Sequence, residues 1–412
     1  MSQCAFVVRN ESFGYLLMNR DTEELYAIRT DGQLDFSDPS LFEYESAPGE
    51  RTTPSKLLYR PTIPQRRDIL CAPVMVEFYP TSACNEQCHF CYVGDWLNSD
   101  RAQFPKESIA PFVENMIRAG VFRLIILGGE PFLYRHLATL LDSACAHELV
   151  VSLSTNGTID RPDIWDRLAE YGVHLNISFH SHLPEVEDSI VCKTGAFKIV
   201  SRAISALCVR GFSPHVSTVV TAENVSEIED TVQFLGDLGV RNVSLLHTQG
   251  SGSVKLARQK CASFAQFKDA CYRATRRGDA LDMTVSATTN FPFMLYDGLS
   301  FSVDNGLPRF MYGHPDGRRV IYVLNDGRVV GTLYQDLRAP LVAGDILHDE
   351  LSEIWAHSAI LDDIRELRPK RDCLNCEHFE YCRGGPTGNL TNVVGDFSIP
   401  NCPRFASSLE AE

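Results

Sequence analysis

The 412-residue chain is long enough for two or three domains, and its 44% hydrophobic and 22% charged residues indicate a folded globular protein rather than a disordered one. Its formal net charge of −15 opposes phosphate backbones and argues against a nucleic-acid partner. No apolar run approaches the ~20 residues of a membrane span, and the acidic, polar N-terminus does not fit a secretory signal, so we expect a cytoplasmic protein with no membrane contact.

Residues 1–70 predict a small β-rich element followed by a linker. Short β-type runs lie at 6–8, 14–18 and 25–28. Residues 30–67 are rich in Pro, Ser, Gly and charge and show no sustained helical period, which predicts irregular structure.

Residues 71–280 alternate between strand-like and helical segments. This alternation predicts a parallel sheet with crossover helices, and six units predict an α/β fold of the partial (β/α)6 barrel type rather than a closed eight-fold barrel. The six apolar runs are 74–79, 122–127, 149–153, 173–179, 215–220 and 240–246.

The C-terminal third predicts a linker and a further small domain. Residues 281–318 form a loop-rich linker, and residues 319–412 form a cysteine-rich domain. That domain begins with a hairpin at 319–333, for which Asn325-Asp326-Gly327 supplies the turn, and continues into a helix near 350–367.

The chain has fourteen cysteines, and a reducing cytosol argues against disulfides between them. Intracellular cysteines at short spacings more often bind metal or take part in chemistry. Most of the scattered ones are predicted to be small buried side chains. Two groups are closely spaced: Cys84, Cys88 and Cys91, and Cys373, Cys376 and Cys382 with Cys402 following.

The first group follows the first strand of the alternating region, at the sheet edge where reactive sites of α/β folds assemble. Three thiolates leave a position open, either on a catalytic zinc ion or on one iron of a four-iron cluster. The spacing Cys84-x3-Cys88-x2-Cys91, with Phe90 before the third cysteine, resembles the radical S-adenosylmethionine (SAM) enzymes.

Later segments of the barrel resemble the same family. Gly128-Gly129-Glu130-Pro131 is similar to its GGEP segment, the stretch from Ser154 through Asn156 to its TNG segment, and Ser178 to a serine that contacts SAM. The resemblance implies a [4Fe–4S] cluster with an open iron on Cys84, Cys88 and Cys91. It also implies SAM contacts from Phe90, Gly128, Gly129, Glu130, Pro131, Ser154, Asn156 and Ser178.

Residues 187–197 resemble the family pattern D-x-I-R-G-x-x-G-S-F but depart from it twice. Val191 stands where the family commonly has an arginine. This chain therefore lacks the residue that the resemblance assigns to one contact with the SAM carboxylate. Cys192 replaces a common glycine; it could donate a hydrogen atom to a substrate radical, or be a small residue tolerated there. His180 also faces the predicted cavity, as a candidate acid–base group or as a hydrogen-bonded loop histidine.

The second cysteine group resembles the SPASM/twitch-type extension of peptide-modifying radical SAM enzymes. The three cysteines missing from the full seven-cysteine pattern are all ligands of one of its two auxiliary clusters. The resemblance therefore implies a reduced domain with a single auxiliary [4Fe–4S] cluster held by Cys373, Cys376, Cys382 and Cys402. Four cysteines also suit a structural zinc ion, which is the alternative.

The resemblance implies reductive cleavage of SAM to a 5′-deoxyadenosyl radical and hydrogen abstraction from a ribosomally synthesised peptide, ending in a crosslink, epimerisation or oxidation. The β-rich N-terminus is similar to the start of peptide maturases, where a sheet edge can pair with a leader peptide; a capping hairpin is the alternative. A flavodoxin- or ferredoxin-type donor would supply electrons. A small-molecule substrate such as a haem precursor or antibiotic intermediate, maturation of a folded enzyme, and a non-catalytic iron–sulfur or zinc protein stay open.

Overall fold

The computed structural model describes residues 5–21, 24–30, 44–47, 50–52, 56–100, 102–247, 260–288, 311, 314–366, 375–376 and 379. Within these ranges, no helix is both long enough and apolar enough to cross a membrane.

Strands and short helices alternate along most of the described chain. The strands are β1 (Ala5–Glu11), β2 (Gly14–Asn19), β3 (Leu25–Arg29), β4 (Tyr44–Ala47), β5 (Glu50–Thr52), β6 (Lys56–Arg60), β7 (Met75–Phe78), β8 (Arg123–Ile126), β9 (Val150–Thr155), β10 (His174–Ser178), β11 (His215–Val220), β12 (Asn242–His247), β13 (Thr284–Thr288), β14 (Val320–Val323), β15 (Arg328–Val330) and β16 (Val342–Asp345). The helices are α1 (Ile109–Ala119), α2 (Leu137–Ala146), α3 (Pro162–Tyr171), α4 (Pro184–Ile190), α5 (Ala196–Val209), α6 (Ile228–Asp237), α7 (Phe264–Ala280), α8 (Leu351–His357) and α9 (Ala359–Arg365).

A ten-stranded sheet in the order β13-β12-β11-β10-β9-β8-β7-β14-β15-β16 forms the centre of the fold. Strands β7 to β13 pair in parallel with their neighbours, and the helices α1 to α7 connect them. All six predicted strands are present as β7 to β12, which confirms the parallel α/β fold. The sheet is larger than predicted, because β13 arises from the segment predicted as a linker and β14 pairs in parallel with β7.

One face of the parallel sheet carries the apolar residues that pack against the helices. Val76, Phe78, Leu124 and Ile126 of β7 and β8 are fully buried there, in the same core as Phe112 of α1. The parallel strands place every second residue on this face, so the residues between them lie on the opposite face.

The N-terminal segment forms a second sheet in the order β3-β2-β1-β6. β1 pairs antiparallel with β2 and in parallel with β6. Residues 30–67 are therefore not wholly irregular as predicted, because β6 lies within them. Val7, Leu16 and Met18 of this sheet belong to the same core as the barrel strands, which fixes the N-terminal sheet on the barrel.

A buried arginine also joins the two sheets. The Arg9 side chain is 0% exposed and donates hydrogen bonds to the carbonyl oxygens of Ala72, Pro73 and Gly120. It pairs with Glu11 at 2.6 Å, and the second oxygen of that carboxylate accepts a hydrogen bond from the backbone N–H of Cys71. These hydrogen bonds join strand β1 to residues 71–73, just before β7, and to Gly120 at the end of α1.

The C-terminal hairpin agrees with its prediction and the helix after it differs. β14 and β15 pair antiparallel around a turn in which Gly327 has a φ of 90°. The predicted helix near 350–367 is two helices, because Ser358 between them has an extended ψ of 119°. Three of the predicted auxiliary-cluster ligands, Cys373, Cys382 and Cys402, lie outside the described residues, and Cys376 is half-buried.

Candidate active site

The loop after β7, residues 80–99, carries Cys84, Cys88 and Cys91 and is called the cluster loop here. Asn98 closes it around the first cysteine: the Cys84 N–H donates to Asn98 Oδ1 at 3.1 Å, and Asn98 Nδ2 donates to the Cys84 carbonyl at 3.2 Å. The Cys91 N–H donates to the Cys88 carbonyl at 3.1 Å. These bonds fold the three cysteines into one compact loop.

Burial opposes the ionisation of the thiols in the cluster loop. Burial raises the pKa of Cys84 to about 12 and that of Cys91 to about 11, and it raises the pKa of Cys88 well above its ordinary value. Cys88 also lies close enough to Cys84 and Cys91 for their charges to oppose its ionisation. The loop therefore gathers thiols that need a cationic group to become thiolates.

The donor set suits a four-iron cluster with an open iron. In a cubane cluster each cysteine binds a different iron. The three thiols of the cluster loop therefore leave the fourth iron without a protein ligand from this loop.

The two glycines of the GGEP segment lie against the backbone of the cluster loop. The Gly129 N–H donates to the Thr81 carbonyl at 2.9 Å, and the Glu130 N–H donates to the Ala83 carbonyl at 2.8 Å. A Cβ on Gly129 would lie 2.2 Å from the Ala83 carbonyl oxygen. Only glycine allows this approach, because the obstructing atoms belong to the backbone.

Replacing Gly129 with alanine is expected to displace the cluster loop and to weaken SAM binding by about tenfold or more, together with a loss of about 1–3 kcal/mol in stability from overpacking. Equilibrium binding of SAM to the reconstituted enzyme and urea unfolding measure the two effects. Gly172→Ala is the control for SAM binding, since a Cβ there meets no atom within 4 Å; its left-handed φ of 63° should cost alanine about 1–2 kcal/mol in stability while the SAM affinity stays unchanged. Unchanged SAM affinity in Gly129→Ala would contradict the steric argument.

The Glu130 carboxylate is buried and held by protein donors. Oε1 accepts hydrogen bonds from the Phe132 N–H at 3.0 Å and from Thr155 Oγ1 at 2.8 Å, and Oε2 accepts one from the Asn156 N–H at 2.8 Å. Burial raises the pKa of Glu130 even though these bonds favour the carboxylate. The side chain therefore locks the GGEP segment to the end of β9, in addition to any contact with SAM.

The hydrogen bonds continue from Asn156 to residues that the motifs did not indicate. Asn156 Nδ2 donates to Asn85 Oδ1 at 2.8 Å, Asn85 Nδ2 donates to Thr158 Oγ1 at 2.9 Å, and Lys193 Nζ donates to the same Thr158 oxygen at 2.8 Å. Asn85 follows Cys84 directly and Thr158 lies two residues after Asn156. Their positions next to the motif residues in the sequence are the feature from which their role could have been predicted.

The departure at Val191 has a packing explanation. Val191, Ile190 and Ala196 are buried together, and Cys88 and Phe90 pack against them. The backbone N–H groups of residues 87 and 89 donate to the carbonyls of residues 191 and 190, at 3.2 and 3.0 Å. The position is an apolar support for the cluster loop, which suits valine and not an arginine side chain.

The sequence profile of the radical SAM superfamily matches residues 78–235, which contain the cluster loop, the GGEP segment and Asn156. Residues 78–235 form a radical SAM domain. Membership of this superfamily implies SAM and a [4Fe–4S] cluster as cofactors.

Curated relatives and solved structures extend the similarity beyond the radical SAM domain. The chain is 28% identical to the mycofactocin maturase MftC of Mycolicibacterium smegmatis, over 83% of this chain and 86% of that protein. It is 25% identical to the AdoMet-dependent heme synthase of Methanosarcina barkeri, over 76% of this chain and 91% of that protein. Its fold is similar to that of Streptococcus suis SuiB in a crystal structure with the precursor peptide SuiA, with a TM-score of 0.76, 15% identity, and coverage of 95% of this chain and 97% of that chain.

In the radical SAM domain, Cys192 lies on an exposed turn beside the cluster loop. It has a left-handed φ of 53°, and its Sγ lies 3.6 Å from the Ser189 carbonyl oxygen. Partial burial raises the pKa of Cys192; the positive charge of Lys260 lowers it and the negative charge of Glu223 raises it further. Lys260 Nζ lies 3.0 Å from Glu223 Oε1 and 2.8 Å from His89 Nδ1, so charged groups link this turn to the cluster loop.

His180 is a buried, hydrogen-bonded histidine of the radical SAM domain. Its Nδ1 accepts a hydrogen bond from the Val219 N–H at 3.2 Å, and its ring packs edge-on against Phe90 with centroids 4.7 Å apart. Burial lowers the pKa of His180 to about 3, so the ring is neutral over the physiological range.

This burial predicts a loss of stability in acid. In the unfolded chain His180 binds a proton below its ordinary pKa of about 6.5, whereas the folded chain excludes it until about pH 3, so the free energy of unfolding falls as the pH drops between these values. The contribution reaches about 3 kcal/mol at pH 4.5. His180→Gln should remove it, while His348→Gln, at a histidine that is 77% exposed, should not. Urea unfolding at several pH values measures the slopes, and equal slopes in wild type and His180→Gln would contradict the prediction.

The face of the parallel sheet opposite the helices carries many polar side chains together with apolar ones such as Met75 and Ile125, and it is called the polar face here. Side-chain hydrogen bonds cross it from strand to strand. They join Arg123 to Ser152, Asn176 to Ser154 and Ser217, and Ser244 to His215 and Ser286. Beside β14, Glu77 accepts a hydrogen bond from the Tyr79 hydroxyl at 3.0 Å, and burial raises the pKa of Glu77 to about 7. Hydrogen-bonding side chains thus follow the polar face from β8 to β13.

Proposed function

We propose that this radical SAM enzyme modifies a ribosomally synthesised peptide. The observation that carries the radical chemistry is the hydrogen-bond network that joins the cluster loop, Glu130 and Asn156. Cys84, Cys88 and Cys91 hold the [4Fe–4S] cluster. The SAM contacts come from Phe90, Gly128, Gly129, Glu130, Pro131, Ser154, Asn156 and Ser178.

When bound, the cluster and SAM supply an electron and a 5′-deoxyadenosyl radical that abstracts hydrogen from the substrate. The chain provides three thiolates in a loop closed by Asn98, and two glycines that let the GGEP backbone approach this loop. Phe90 and Val191 form the apolar support beneath it, which keeps water from that side of the cysteines. The polar face then orients the substrate.

Two observations support a peptide substrate. The curated relative with 28% identity is a maturase, and the related fold of SuiB is seen with a precursor peptide. In the N-terminal sheet, β3 is a partly exposed edge strand, and an extended leader peptide can add to such an edge through main-chain hydrogen bonds. Residues 1–70 are thus the proposed recognition element for the leader.

The electron-transfer parts of the proposal involve the C-terminal domain. Cys373, Cys376, Cys382 and Cys402 would hold one auxiliary [4Fe–4S] cluster with four protein ligands, which leaves no iron open for substrate. Its role would be electron relay or stabilisation of the domain. A flavodoxin- or ferredoxin-type protein would reduce the cluster in the radical SAM domain.

Co-expression under low oxygen with each short reading frame beside the gene tests the function, with Cys84→Ala as the inactive control. A peptide that loses a pair of hydrogens only with the active enzyme would support crosslinking or oxidation. A peptide whose mass is unchanged in ordinary water, but which takes up deuterium when the reaction runs in heavy water, would support epimerisation, with Cys192 as the hydrogen donor. Unmodified peptides together with SAM cleavage would reject the peptide substrate.

A small-molecule substrate is the second candidate. The similarity to a heme synthase over 76% of the chain favours it. Ala27→Pro in the edge strand β3 separates the two candidates without removing the core residues of β1 and β2. Proline at a sheet edge blocks strand addition, so the variant should lose binding of a peptide that the active enzyme modifies, whereas turnover of a small molecule that fits the barrel should persist.

A further inference from the structure

We propose that Lys193 binds the carboxylate of SAM, in place of the arginine that this chain lacks at position 191. The inference rests on the SAM chemistry of the proposed function and not on the identity of the substrate.

Lys193 is held in place by the turn between α4 and α5. Its backbone N–H donates to the Asp188 carbonyl at 3.0 Å. The Asp188 carboxylate accepts hydrogen bonds from the backbone N–H groups of Gly195 and Phe197, at 2.5 and 3.0 Å, which ties the turn to the start of α5. The lysine side chain therefore leaves a fixed backbone and reaches towards the cluster loop.

The ammonium group of Lys193 belongs to the network that joins the SAM-binding segments. Nζ donates to Thr158 Oγ1 at 2.8 Å, and Thr158 in turn donates to Asn156 Oδ1 at 2.7 Å and accepts from Asn85 at 2.9 Å. A lysine has three N–H donors, so this bond leaves donors for a ligand. Through two hydrogen bonds, Lys193 reaches the segment that also binds Glu130.

The charges around the cluster loop single out this lysine. Glu86, Glu130 and Glu187 are buried there, so an anionic ligand group requires a cation. In the described part of the chain, Lys260 also approaches the loop, but its ammonium lies 3.0 Å from Glu223. Lys193 Nζ is 3.9 Å from Glu86 Oε1, at the outer limit of an ion pair, and is thus less fully neutralised.

The packing of Val191 explains why the cation lies two residues later. An arginine at 191 would bury a guanidinium among Cys88, Phe90 and Ile190. With valine there, the apolar contact with the cluster loop is preserved. The positive charge comes from Lys193, whose side chain is only partly buried.

Binding of SAM and of decarboxylated SAM to the anaerobically reconstituted enzyme tests the proposal. Lys193→Met is expected to weaken SAM binding by about tenfold or more, since a hydrogen bond to a charged group is lost. The affinity for decarboxylated SAM, which lacks the carboxylate, should not change. Lys193→Arg should bind SAM within a few-fold of the wild type, and Lys198→Met, on the exposed side of α5, should bind both compounds normally.

Equal loss of affinity for both compounds in Lys193→Met, or no loss for SAM, would overturn the proposal. The iron content of each variant shows that the cluster is intact, so a folding defect is recognised separately, and Lys193→Arg provides a second, conservative variant. Failure of this test would leave peptide modification by the wild-type enzyme unaffected. Failure of the proposed function would appear instead as unmodified peptides with normal SAM binding.

Discussion

Cys88→Ala is expected to reduce the cleavage of SAM to the level of the reaction without enzyme. Cys88 is the middle ligand of the cluster loop, and removing it leaves two thiolates for a cluster that needs three. The thiol also packs with Ile190 and Val191 and lies 3.7 Å from Glu86 Oε2. Formation of 5′-deoxyadenosine after chemical reduction, together with iron and sulfide content, measures the effect.

The control for this variant is Cys145→Ala. Cys145 lies in α2 and packs against the barrel core, outside both cysteine groups. It should retain the iron content and the SAM cleavage of the wild type. Full iron content and SAM cleavage in Cys88→Ala would show that Cys88 is not a cluster ligand and would remove the basis of the site.

Arg9→Met is expected to lower the free energy of unfolding by about 3–5 kcal/mol. The change leaves the Glu11 carboxylate buried without its charge partner and removes the donors to three carbonyl oxygens. The lost guanidinium also packs over the Phe122 ring at 4.8 Å. Urea unfolding of the protein measures the change.

Two further variants test the cause of this loss. The double variant Arg9→Met, Glu11→Leu should recover part of the stability, because it removes the uncompensated buried charge. Arg118→Met should cost less than about 1 kcal/mol, since the Arg118–Glu350 pair is 54% and 55% exposed. A double variant no more stable than Arg9→Met would show that the carbonyl contacts, not the charge, dominate.

The strands of the barrel could be predicted because their local sequences contain the alternation that the fold requires. Leu124 and Ile126 face the helices while Arg123 faces the other side, and the other parallel strands follow the same rule. β6 was missed for the opposite reason. It is short and half-exposed, and its partner β1 lies some fifty residues earlier, so its pairing is not encoded by nearby residues.

The parts of the candidate site that could be predicted are the closely spaced cysteines of the cluster loop and the glycines of the GGEP segment, because both are visible as short sequence motifs. Gly129 and Glu130 hydrogen-bond to the cluster loop, and their contacts with SAM stay a prediction of the resemblance. Lys193 and Thr158 were not predictable, because their roles depend on contacts between loops that follow different strands. The sequence left two roles open for His180, and its burial and the hydrogen bond from the Val219 N–H favour the hydrogen-bonded loop histidine.

The polar face has a consequence for how such an enzyme changes its specificity. In a closed barrel packed with aliphatic side chains, the interior contributes to folding, and substitutions there create cavities. Here many of the residues between the buried ones are polar, among them Arg123, Asn176, Ser217 and Ser244, so most of the apolar contacts that stabilise the sheet are on its other side. Replacing Ser217 or Ser244 should therefore alter the shape and hydrogen bonding offered to a substrate while the fold persists. Selection for new substrates can act on the interior of the barrel with little penalty in stability.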